Sequence, residues 1–98
     1  MFASMSTIRG DDPDLEATAR IVGDTMLTWL GEFDGYSGLM ILTNEESGVA
    51  QVITFWESEE AAERSKLARL KMRDQMTSTV QMEVSSTEPY AVAFDDRV

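Results

Sequence analysis

The sequence predicts an α+β domain of the ferredoxin-like class, with elements in the order strand, helix, strand, strand, helix, strand. Three observations point there. Gly48 to Met72 reads as a strand that passes straight into a helix. The strand-like runs Tyr36–Thr43 and Val49–Trp56 are separated only by Asn44-Glu45-Glu46-Ser47-Gly48, a polar stretch of turn residues that suits an antiparallel hairpin. Upstream, Leu15, Ala19, Val22, Met26 and Leu30 recur at the spacing of one buried helical face. Ninety-eight residues make one domain, 1–98.

The first strand is expected over Met1–Arg9, with Phe2, Ser4, Ser6 and Ile8 on one face and Ala3, Met5 and Thr7 on the other. Gly10 to Asp14 then turns the chain. Asp11 or Asp12 is suited to cap the first helix, and Pro13 to its first position. That helix should run to Leu30, with Trp29 or Phe33 extending its apolar face and Gly31 ending it. Gly23 inside it reads as a tolerated weak spot, about 1 kcal/mol worse than alanine.

In the hairpin, Leu39, Ile41 and Thr43 should share one face, and Tyr36, Met40 and Leu42 the other. In the next strand Val49, Gln51, Ile53 and Phe55 oppose Ala50, Val52, Thr54 and Trp56. Ser58 is placed to cap the second helix, Glu59 to Met76, and Glu59 and Glu60 favour the positive end of its dipole. Ala61, Ser65, Ala68, Met72 and Met76 form its narrow buried stripe, with Leu67 and Leu70 off it. A last strand starts near Val80. Thr87-Glu88-Pro89 should interrupt it, leaving Tyr90–Phe94 as a further extended piece and Asp95–Val98 as a charged tail.

Two helices cover only one face of a four-stranded sheet. A solvated opposite face would alternate with polar residues, yet the hairpin strands are apolar on both faces. Met40, Leu42, Ile53 and Phe55 are therefore the candidate contacts of a homodimer formed face to face through the sheet.

Composition excludes several classes. The formal charge of -10, from 18 acidic and 8 basic residues, argues against nucleic acid or an anionic membrane as partner. There is no cysteine and no histidine. Disulfides, thiolate metal sites, typical zinc sites and Ser-His-Asp or Cys-His catalysis are thereby excluded. No apolar run approaches a membrane span and no leader pattern is visible, so a cytoplasmic location is expected. Glu57-Ser58-Glu59-Glu60 reads as a helix start and not as a metal site, and Gly31, Gly35 and Gly38 punctuate turns without making a phosphate loop.

Phe33-Asp34-Gly35-Tyr36-Ser37-Gly38, the apolar strand after it, and Val52 to Ala62 (VITFWESEEAA) resemble the dimeric α+β barrel superfamily. Within it they are most similar to the small antibiotic biosynthesis monooxygenase-like domains. The resemblance spans nearly the whole chain in element order, and Phe33–Ala62 at residue level. It implies a dimeric α+β barrel with a cavity between helices and sheet in each subunit. Some members there oxidise phenolic compounds with molecular oxygen and no cofactor, which needs an enclosed apolar site and donors for a developing oxyanion.

On that basis Trp29, Phe33, Tyr36, Trp56 and Tyr90 are candidate cavity walls, and Arg9, Asn44 and Thr54 candidate polar groups. Each also has a plain structural role: Trp56 in the core, Asn44 in a turn, Arg9 in solvent. Haem-degrading members use a histidine ligand on the second helix, with asparagine and tryptophan partners. This chain has no histidine, and its first strand has no asparagine. No cofactor or metal is expected. The open choices are a binder of a small apolar or aromatic molecule, a cofactor-independent monooxygenase of phenolic or polyketide-like compounds, and a non-catalytic interaction module. The lack of histidine favours the non-catalytic end.

Overall fold

The computed structural model describes residues 1–79 and 82–97. It contains β1 (Phe2–Arg9), α1 (Leu15–Leu30), β2 (Tyr36–Asn44), β3 (Val49–Trp56), α2 (Glu59–Thr79) and β4 (Glu83–Ala91), the expected ferredoxin-like order. The strands form one antiparallel sheet in the order β2-β3-β1-β4. Val80 and Gln81, expected to open the last strand, lie outside the described residues, as does Val98. Among the described residues no helix is long and apolar enough to cross a membrane.

Both helices lie on the face that carries Ile8, Val52 and Ile41. From α1, Leu15, Met26 and Leu30 are buried there, as their spacing requires. Its start is displaced: the helix begins at Leu15, and Asp12 accepts hydrogen bonds from the Asp14 amide (2.8 Å) and the Thr18 hydroxyl. These bonds hold the Asp12 carboxyl below its usual pKa. Gly23 faces the sheet, where a methyl group would stand 3.4 Å from Ile41 Cδ1, an ordinary contact, so the packing there does not require glycine.

Ser58 caps α2 as expected, its hydroxyl accepting the Ala61 N–H at 3.1 Å. Along α2 the buried residues are Ala61, Ala62, Ser65, Arg69 and Thr77. Ala68, expected in the stripe, is exposed, and Arg69 takes the inward place beside it. Leu67 is exposed to solvent and Leu70 turns partly inward.

Two bulges change the predicted faces. Tyr36 pairs with Trp56 and Gly38 with Phe55, so Ser37 is extra in β2. Tyr36 is thereby moved from the Met40 face to the helix face, where it packs on Trp56. In β4 the register slips between Thr7 and Ile8 at Ser85, whose hydroxyl donates to the Thr7 carbonyl at 3.2 Å. Thr87-Glu88-Pro89 does not interrupt β4. Pro89 sits opposite Ser4 within the strand, tolerated because β4 is an edge. Beyond Ala91 the Val92 N–H still reaches the Met1 carbonyl (3.1 Å), and the Arg97 guanidinium lies 4.7 Å from the centroid of the Phe55 ring.

The face away from the helices carries Met5, Met40, Ile53 and Phe55, all half-buried in the single chain, and Leu42, half exposed. A polar pair interrupts this surface, Thr7 donating to Gln51 at 2.8 Å.

A candidate ligand cavity between the helices and the sheet

Trp56 anchors one end of the interior. It is fully buried, and its Nε1 donates to the Thr54 hydroxyl at 2.9 Å, two residues back on the same strand face. Tyr36 meets it edge-on with centroids 5.9 Å apart, Phe33 lies 6.3 Å away, and Trp29 stands edge-on to Phe33. Burial raises the Tyr36 phenol pKa above its ordinary value.

Arg69 reaches this cluster from α2. Its guanidinium carbon lies 4.7 Å from the Trp56 ring centroid. Nε donates to the Ser65 hydroxyl at 2.8 Å and Nη2 to the Ala62 carbonyl at 2.7 Å. The small side chains Ala61, Ala62 and Ser65 on the preceding turns leave room for the arginine stem to fold back along the helix. Only 9% of Arg69 is exposed. Burial lowers its pKa, opposed by the charge of Glu63, but an arginine so shifted still keeps its proton at neutral pH.

Next to this cluster is a cavity of about 60 Å³. Its apolar wall includes Val22, Met26, Leu30, Val52 and Met76. Its polar wall is a set of hydroxyls and donors: Ser4 and Ser6 from β1, Thr54 from β3, Thr77 from α2, Thr87 from β4, Arg69 and Arg73 from α2, and Trp29 from α1. Ser6 and Thr87 share a 2.9 Å hydrogen bond. Arg73 donates to the Thr87 hydroxyl and pairs with the exposed carboxylate of Asp74 at 2.8 Å. The Trp29 Nε1 is buried without a hydrogen-bond partner among the described residues. Among the described residues no Asp, Glu or Lys lines the cavity.

A second, smaller cavity of about 40 Å³ lies between α1, the sheet and the later turns of α2. Met76 lines both. Either space alone holds a few waters, at ~10–15 Å³ each, and is smaller than the ~150 Å³ that admits benzene in an apolar core. An aromatic ring therefore enters only as side chains move, and Met76, which lines both spaces together with Ile8, Val22, Val52 and Thr77, has the flexible thioether chain suited to move.

Of the residues singled out from the sequence, Trp29 and Thr54 line the first cavity. Trp56, Phe33 and Tyr36 form the packed aromatic cluster beside it. Three others lie elsewhere. Asn44 closes the hairpin loop, its side-chain oxygen accepting the Ser47 N–H at 3.1 Å. Arg9 is exposed at the end of β1, opposite Val49 and Glu83. Tyr90 sits on the outward face of edge strand β4 with its hydroxyl on Glu88 at 2.6 Å, which raises its pKa. A polar residue near an apolar segment is not thereby turned inward. Strand ends and edges put these three in solvent.

Sequence reasoning missed Arg69, Arg73, Ser4, Ser6 and Thr87. A signal was available. Ser4 and Ser6 alternate on the face shared with Ile8, where a buried strand face would carry apolar groups, and Arg69 continues the Ala61–Ser65 row at a four-residue step.

No family model matches the chain, and no curated protein matches its sequence. Solved structures do match. One is a candidate antibiotic biosynthesis monooxygenase from Deinococcus radiodurans, with a TM-score of 0.65 at 10% identity over 100% of this chain and 98% of that one. Another is Rv0793 from Mycobacterium tuberculosis, at 0.61 and 16% over 99% and 100%. A third is a candidate antibiotic biosynthesis monooxygenase from Chloroflexus aurantiacus J-10-fl, at 0.59 and 10% over 98% and 96%. The chain shares the whole-length fold of these structures.

Proposed function

We propose that this protein binds a small apolar or aromatic molecule in the cavity between its helices and sheet, and that it does so as a homodimer joined through the opposite sheet face. One observation carries the binding reading: a cavity with an apolar wall is also lined by Trp29, whose Nε1 is buried with no hydrogen-bond partner among the described residues. Such groups are rare in a folded chain, and a ligand acceptor removes the cost. The dimer reading is supported by Met40, Ile53 and Phe55, partly exposed with Leu42 on a face that neither helix covers.

The test is a titration of ¹⁵N-labelled protein with the single-ring compounds p-cresol, benzamide and benzoate, following the two tryptophan indole N–H signals. Binding in the cavity shifts Trp29 more than Trp56, whose N–H is already held by Thr54. If all three compounds leave Trp29 unmoved at millimolar concentration, the binding reading fails.

A second reading, cofactor-independent oxidation of a phenolic ligand, is supported by the cluster of donors on the cavity wall and by structural relatives described as candidate monooxygenases. These donors suit an oxyanion. Oxygen uptake with dithranol, an anthrone, and menadiol, a quinol, tests it. Uptake no faster than in buffer contradicts it.

A further inference from the structure

We infer that the cavity's ligand is a small organic monocarboxylate, with its charged end against Arg69 and the Trp29 indole and a compact apolar body against Met26, Val52 and Met76. This rests on the binding reading above and narrows its ligand class.

Arg69 is nine-tenths buried. Of its five N–H donors, two are used, by Ser65 and Ala62. Among the described residues no carboxylate forms a salt bridge with it. The nearest acidic influence is Glu63, an exposed residue of the same helix. A buried cation without a counter-ion is costly, and the face of Trp56 offsets only part of that cost. One further basic group lines the cavity, Arg73, but its charge is balanced by Asp74. One positive charge is left to balance, which fits one negative charge. The free edge of a guanidinium also matches the two oxygens of a carboxylate.

The remaining wall decides the ionisation state of the ligand. The polar groups that β1, β3 and β4 present are hydroxyls, α1 presents the indole, and the chain has no histidine. No group there accepts a proton from an incoming neutral molecule. A simple phenol, with a pKa of ~10, arrives neutral and leaves Arg69 unpaired; a carboxylic acid, at ~4, arrives ionised in water. Both oxygens of the anion then find donors, at Arg69 and at the otherwise unsatisfied Trp29 Nε1.

The experiment compares benzoate with its neutral isostere benzamide at pH 7, by the Trp29 indole N–H and the Arg69 Nε–H signals. Benzoate is expected to bind at least about tenfold more tightly. Arg69→Met, which keeps much of the buried stem, is expected to abolish that preference while benzamide binding changes by less than about threefold. Trp29→Phe leaves Arg69 in place and covers the case in which Arg69→Met unfolds. It is expected to weaken benzoate several-fold, with the Trp56 indole signal reporting an intact fold. Equal affinities for benzoate and benzamide overturn the carboxylate inference but leave the cavity reading standing. A benzoate preference that survives in folded Arg69→Met, or a benzoate affinity unchanged in Trp29→Phe, overturns it too, because the anion is then held elsewhere. No shift of Trp29 with either compound overturns both.

Discussion

The Arg69 guanidinium lies 4.7 Å from the centre of the Trp56 ring, so the most buried aromatic side chain and the most buried charge of the molecule form one unit. The pair joins α2 to β3 at the end of the cavity.

Trp56→Ala removes a fully buried ring, the partner of Thr54 and the surface under Arg69. The expected cost is roughly 3–5 kcal/mol, a large share of the stability of a small domain. Urea denaturation measures it. A loss under about 1 kcal/mol contradicts the central place given to this residue.

Gly35 has φ +83°, and a methyl group there would stand 2.5 Å from Ala61 Cβ, while its carbonyl accepts the Glu57 N–H at 2.8 Å. The turn after α1 is thereby locked onto the start of α2. Gly35→Ala is expected to cost roughly 1–3 kcal/mol from strain and overlap, read as a lower urea midpoint. An unchanged midpoint argues against this packing.

Asp12 links the β1–α1 turn to α1 through Thr18 and the Asp14 amide. Its folded pKa lies below the ordinary value of 3.8. A depressed carboxyl pKa contributes stability that is full above the unfolded value and lost as pH falls through the folded one. Asp12→Ala is therefore expected to be less stable than the parent at pH 7, with the gap closing below about pH 4. A gap that is constant with pH contradicts the assignment.

Ile53→Asp and Leu42→Asp place charge on the uncovered sheet face without touching the helix side. If that face joins two copies, the parent sediments at twice its 10.9 kDa chain mass and the variants at 10.9 kDa. A parent that sediments as a single chain at micromolar concentration removes the dimer reading.

Much of this architecture is legible from local pattern. The α1 face from Leu15 to Leu30, the Ser58 cap and the β2–β3 hairpin each follow from spacing and turn chemistry within a few residues. What was not legible depends on single-residue slips and on side-chain reach. One extra residue at Ser37 carries Tyr36 to the other face, which a period-two reading does not see. Arg69 looks like a solvated helix residue until the small side chains at Ala62 and Ser65 open a way inward. Pro89 looks like a strand breaker until β4 is known to be an edge. The hydroxyls of Ser4 and Ser6 were visible as an alternation, but only the placement of Thr54 and Arg69 opposite them makes them one wall.

The most direct test of the account is a crystal of the protein soaked in 4-bromobenzoate, with the bromine located by anomalous scattering. A bromine peak is expected among Met26, Val52 and Met76, with Met76 displaced toward the smaller cavity and the carboxylate against Arg69. Bromine found only on the outer surface, at a concentration several-fold above the solution Kd, would contradict it.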